Sequence, residues 1–265
     1  MSLFSRSPRL CALALPACLT LLAGCAGEEN ASSSDTATAA NTEPGQLTVV
    51  ANGEDFVRQG FTSKDGWRID FDRVEVTLGE IVPKSEAGDP VEPIAPQSVD
   101  LAAGDENAEP IELTTVTVPS GYYSGVEWSI ASADDAPSIV MTGTAKKDDR
   151  EMAFELAFAP NLAYSCGEYV GDERKGFVEP DAPGELEITF HFDHIFGDAG
   201  APADDKINVG GFGFDRFAAL EKDGKVVVTP ETMSEQFSVD EISQIAAPIA
   251  GLGHVGEGHC EAAAQ

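Results

Sequence analysis

The chain has 265 residues, 46 of them acidic and 16 basic, for a formal net charge of -30. Such a surface repels phosphates and offers no Lys/Arg patch to displace counterions, which excludes a general nucleic-acid binder. Apolar residues are 42% of the chain, which excludes wholesale disorder and leaves material for one sizeable core.

The N-terminus reads as an address. Arg6 and Arg9 form a basic region, and residues 10–22 are an apolar run too short to be a membrane span. The run ends in Leu22-Ala23-Gly24-Cys25. In this order, these features resemble the signal peptide and lipobox of bacterial lipoproteins. The resemblance implies cleavage before Cys25, lipidation of its thiol, and export to the cell envelope, held there by acyl chains. With Ala26 following the cysteine, it implies the outer membrane in a diderm host, facing the periplasm or the surface. An ordinary secretory signal with a cysteine at the cut is the plainer alternative. Loss of residues 1–24 removes two arginines and no acid, taking the charge from -30 to -32. No later run approaches spanning length, so the expected membrane contact is through the lipid anchor only.

Residues 25–46 then form the lipidated cysteine and a flexible acidic tether, small and polar, with no aliphatic side chain larger than Ala. Residues 47–265 are expected to be a single domain. Residues 47–50 read as a strand. Residues 67–78 follow, with Ile69 and Phe71 on one phase and Val74, Val76 and Leu78 on the other. That phase change predicts a bulge or break near Asp72-Arg73. Residues 83–110 are an acidic loop with a brief strand at 99–101. Strand patterns recur at 111–118 and, after a Pro119-Ser-Gly121 turn, at 122–130. Residues 139–144 and 152–158 make the clearest hairpin. Residues 159–184 read as a long loop, and residues 185–192 as a strand with Leu186, Ile188, Phe190 and Phe192 on one face.

Helical signals gather near the C-terminus. A short helix is expected in 214–222. Thr229-Pro230 has the form of an N-cap followed by a first-turn proline, and Ser238 to Glu241 has that of a capping box. Ile242, Ile245, Ala246 and Ile249 fall at helical spacing, with Pro248 expected to kink or end the helix. The fold expected is mainly β, an antiparallel β-sandwich with a small C-terminal helical appendix. Residues 67–78, then Val116-Thr-Val-Pro-Ser-Gly-Tyr-Tyr123 leading into Val126-Glu-Trp-Ser-Ile130, resemble uncharacterised prealbumin-like sandwich domains of bacterial lipoproteins. They are also loosely similar to methanobactin-associated copper-binding lipoproteins. This resemblance covers about half of the domain and implies the sandwich fold.

Cysteine usage narrows quickly. Cys11 and Cys18 leave with the signal peptide and Cys25 is lipidated, so Cys166 and Cys260 remain in an oxidising compartment. A disulfide between them is expected; a Cys260 thiolate ligand beside His259 is the alternative.

All four histidines lie in two short segments. One is Phe190-His191-Phe192-Asp193-His194, the other Gly253-His254-Val-Gly-Glu-Gly-His259-Cys260. Imidazole is the commonest metal-binding side chain and suits zinc or copper. On a strand, His191 and Asp193 would share one face, while His194 would fit only if the strand ended at Asp193. The candidate ligands are therefore His191, Asp193, His194, His254 and His259. The plainer reading makes these a solvated strand residue and turn caps, since the spacings match no closed zinc module. The string FHFDHIFGD is similar to the copper-ligand strand of copper–zinc superoxide dismutases, but one extra residue separates its histidines and that identity is rejected. Calcium is the weaker metal, suggested by Asp193, Asp198, Asp204 and Asp205 without an EF-hand spacing.

Enzyme signatures such as G-x-S-x-G, H-E-x-x-H and the P-loop are absent. Trp67, Trp128, Tyr122 and Tyr123 could line a carbohydrate platform or fill the core. The reading is a lipid-anchored exported protein that binds a metal or an envelope partner and does not catalyse. A metal-free adhesion or carbohydrate-binding module is the alternative, and a metalloenzyme the third. Oligomeric state is left open.

Overall fold

A computed structural model describes residues 43–130, 136–167, 176–255 and 258–264, at 255, 258 and 259 for the backbone alone. Residues 1–42, on which the expected signal peptide, Cys25 and most of the expected tether fall, lie outside the described residues.

The elements in chain order are β1 (Pro44–Asn52), α1 (Glu54–Gln59), β2 (Phe61–Thr62), β3 (Arg68–Leu78), β4 (Val82–Ser85), β5 (Gln97–Asp100) and β6 (Ile111–Pro119). Then come β7 (Gly121–Ile130), β8 (Ile139–Lys147), β9 (Arg150–Phe158), β10 (Leu162–Gly167), β11 (Phe177–Val178) and β12 (Gly184–Phe190). The last part holds α2 (Asp193–Phe196), α3 (Lys206–Gly210), α4 (Asp215–Ala218), β13 (Lys225–Val228), α5 (Pro230–Gln236) and α6 (Val239–Ala250). It closes with β14 (Gly253–Val255), β15 (Gly258–His259) and β16 (Glu261–Ala264).

The protein is mainly β, with a few short helices towards the C-terminus. One sheet has five strands in the order β15-β14-β12-β1-β6; the other has eleven, built along β13-β9-β8-β3-β7-β10-β16. The pairing is not wholly antiparallel, because β1 runs parallel to β12 and β13 parallel to β9. The C-terminal helices are followed by three short strands, β14, β15 and β16, which return to both sheets.

Local signals explain most elements. The phase change in β3 is a register shift between Phe71 and Arg73, so Ile69 and Val74 both reach the core from opposite phases. The hairpin β8–β9 closes through Lys147↔Arg150, with Asp148 in the left-handed region at φ 53°. Thr229 caps α5 by accepting the Thr232 N–H. In α6, Glu241 Oε2 accepts the Ser238 N–H at 2.8 Å while Ser238 Oγ accepts the Glu241 N–H at 3.2 Å. Pro248 sits inside the last turn and Gly251 ends the helix.

Three expectations are corrected. β1 begins at Pro44, since residues 44–46 already pair with 117–119 of β6, so the tether ends before residue 46. β10 lies inside the stretch read as a loop at 159–184; it is a strand because Tyr164 and Cys166 alternate inwards against β7. β12 ends at Phe190 instead of Phe192 and is buried on both faces from Glu187 onwards. The parallel pairing of β1 with β12 has a further consequence. The chain enters at Pro44, about 26 Å of strand away from Asn52 and from the β12 end that leads into the histidines.

Candidate metal centre

Beyond Phe190 the chain turns instead of extending. The His191 N–H is donated to the Leu252 carbonyl at 3.1 Å and the His194 N–H to the His191 carbonyl at 3.2 Å. Phe192, Ile195 and Phe196 are fully buried, and their 3–4 spacing winds residues 193–196 into one helical turn. Gly197, at φ 69°, stops that turn; a Cβ there would meet Asn208 Oδ1 at 2.6 Å. The expected strand pairing of His191 with Asp193 is thus replaced by a turn that brings His191 and His194 together. Their rings lie 5.1 Å apart, stacked at 26°.

The second segment reaches the same place. β14 pairs with β12 in the register Thr189↔His254 and Phe190↔Gly253. The His254 ring centroid is 4.1 Å from that of His191 and 5.7 Å from that of His194. Gly253 permits this seat, for a Cβ there would lie 2.7 Å from both Trp128 Cζ2 and Tyr164 Cδ1. β15 folds back so that His259 pairs with His254 along the backbone; the His259 side chain is outside the described residues. Cys260 follows at once and is bonded to Cys166 on β10.

The donor atoms of His191, Asp193 and His194 all lie within 4.8 Å of one another. His254 is 5% and Asp193 8% exposed. Among the described residues, Asp193 Oδ1 has no hydrogen-bond partner. Burial raises the Asp193 pKa to about 6; backbone N–H groups of His194 and Asp193 oppose this, and the charges of Asp198 and Glu54 reinforce it. A carboxylate held out of water with one oxygen unsatisfied, clustered with two imidazoles and with a third ring packed against them, fits a bound cation. It fits a plain packing role poorly. This set of nitrogen donors with one carboxylate suits zinc or copper.

Sequence reasoning missed the polar row beneath the site. Glu187 and Thr189 share the face of β12 that carries His254 across the ladder, and both are buried. Asn52 Nδ2 donates to Glu187 Oε1 at 2.8 Å, and Thr189 Oγ1 donates to the same oxygen at 3.4 Å. Asn52 Oδ1 accepts the N–H of Glu54, which is held at φ 63°. The only signal in the sequence was an acid and a threonine alternating with the apolar residues of β12. A cleft of about 370 Å³ opens beside His194, between α3 and the end of α6.

Other expected residues have ordinary tasks. Asp198 Oδ1 accepts the Gly200 N–H at 2.7 Å, and Asp205 Oδ1 accepts the Ile207 N–H at 3.0 Å as the cap of α3. Asp204 is exposed. Asp198 and Asp205 hold turns; of the expected aspartates, only Asp193 joins the histidines. Trp67, Trp128 and Tyr123 are core residues and form no sugar platform; Tyr122 stacks on the half-exposed Phe177 at 4.4 Å.

No protein-family profile matches the chain, and no curated protein sequence matches it. Among solved structures, MbnP from Methylosinus trichosporium aligns at 10% identity and a TM-score of 0.36, over 72% of this chain and 87% of that one.

Proposed function

We propose that this chain is an exported, lipid-anchored envelope protein whose folded domain binds one transition-metal ion, zinc or copper. His191, Asp193, His194 and His254 are the ligands, and His259 is the candidate from the far strand of the hairpin. The observation that carries this reading is the convergence of two histidine segments about 60 residues apart: His191 and His254 lie 4.1 Å ring to ring, and His191 and His194 share a donor cluster with the buried Asp193. Ligand bonds of about 2 Å to a single ion need that closeness. The reading is one of binding, without catalysis. Anchorage through Cys25 rests on the lipobox.

X-ray absorption on the zinc- or copper-loaded protein tests the ligand set. The spectrum should require several imidazole nitrogens and one carboxylate oxygen. A first shell of oxygen alone would overturn it.

A further inference from the structure

Half of the metal centre is held in place by very little secondary structure. β14 meets β12 through two residue pairs and β15 through two. Ladders this short are marginal by themselves. What fixes them is the other sheet. Cys260, the residue after His259, is bonded to Cys166 on β10, 94 positions earlier. The Cys260 N–H is donated to the Gly253 carbonyl at 3.2 Å, so the disulfide anchors the strand that carries His254. Trp128 Nε1 donates to Cys166 Sγ at 3.1 Å, and the Trp128–Tyr164 stack, at 4.0 Å and 10°, forms the seat against Gly253. The Tyr164 hydroxyl holds the approach to β14 by donating to the Ile249 carbonyl at 2.9 Å. The disulfide therefore sits where the chain crosses from the five-stranded to the eleven-stranded sheet, directly behind the second histidine segment.

We propose that the Cys166–Cys260 disulfide is a redox latch on the metal centre: the oxidised protein holds a complete site, and reduction frees the His254 segment and releases the metal. This rests on the metal-binding reading above. The reductant is a thiol. Cys166 is buried and Cys260 partly exposed, so an incoming thiolate attacks the Cys260 sulfur and the Cys166 thiolate leaves and takes up a proton. A second thiol then attacks the mixed disulfide. The sum is two thiols oxidised to one disulfide and one protein disulfide reduced to two cysteines. His191, Asp193 and His194 remain together on their own turn, so the reduced protein keeps a weaker, three-donor half-site.

The test measures zinc affinity by competition with a chromophoric chelator. It compares the oxidised protein, the protein reduced and alkylated at its two thiols, and the C166A/C260A variant, which cannot offer thiolate ligands. The expected result is zinc binding about 10–100-fold weaker in both disulfide-free forms, the range seen when the support of a metal ligand is removed. Hydrogen exchange on the same samples should show loss of protection at residues 252–255 and 260 while β8 and β9 stay protected. If the variant does not fold, the alkylated protein carries the comparison below its melting temperature. Equal affinity, within twofold, with and without the disulfide would overturn the latch and leave the site standing. The same competition is run with copper if zinc does not bind, and binding of neither metal by the oxidised protein would overturn the site itself.

Discussion

Replacing Asp193 by Asn should stabilise the metal-free protein while weakening metal binding. The Asp193 pKa is raised from 3.8 to about 6 by burial. The unfolded chain therefore gives up this proton at a lower pH than the folded one. Stability from this group is fully present below about pH 4 and is lost as pH rises through about 6. At pH 7 the metal-free protein carries the whole penalty, about 3 kcal/mol at 1.36 kcal/mol per pKa unit. Asparagine has nearly the same shape, keeps an acceptor for the local N–H groups, and cannot ionise. At roughly 2–4 °C per kcal/mol for a domain of this size, D193N should melt about 6–12 °C higher than wild type at pH 7 without metal. The gap should close near pH 4. Zinc at about 100 times its dissociation constant should raise wild-type stability by about 2.7 kcal/mol, and D193N by far less at the same concentration. Differential scanning calorimetry at both pH values, with and without zinc, measures all four quantities. A D193N protein that melts no higher than wild type at pH 7, metal-free, would refute the claim that Asp193 is a strained carboxylate awaiting a cation.

Other outcomes follow from the same geometry. H191A and H254A should each weaken zinc binding at least tenfold in a chelator competition, because each removes one nitrogen donor while far-UV circular dichroism stays unchanged. G253A should weaken binding too, since its Cβ would be driven against Trp128 and Tyr164 at 2.7 Å and lift β14 from its seat; a crystal structure of the variant would show His254 displaced. C25S should move the protein from the membrane to the soluble fraction on ultracentrifugation of fractionated cells and abolish fatty-acid labelling, with the zinc affinity of the folded domain unchanged.

Much of the fold was legible because its signals are local. The β8–β9 hairpin, the bulge at Phe71–Arg73 and the Ser238–Glu241 capping box depend on neighbouring residues and appear where the pattern placed them. The strand β10 was hidden because its alternation is short and lies among loop residues; only its neighbours β7 and β16 make it a strand. The burial of Glu187 and Thr189 was not legible either, since it involves partners distant in sequence, Asn52 among them. For the metal centre, the scarcity and pairing of the histidines pointed to the right segments. The extended geometry assumed for residues 191–193 was wrong, because three buried side chains at 192, 195 and 196 demand a helical turn. That turn is what makes His191 and His194 neighbours, and it rests on tertiary burial that periodicity over three residues does not reveal.

The most direct measurement is the metal content of the protein, purified without an affinity tag and then dialysed against one equivalent of zinc or copper. Elemental analysis should find about one ion per chain in the wild type and none in H191A/H194A/H254A. A wild-type protein that holds no transition metal after this treatment, or a triple variant that holds as much, would contradict the account.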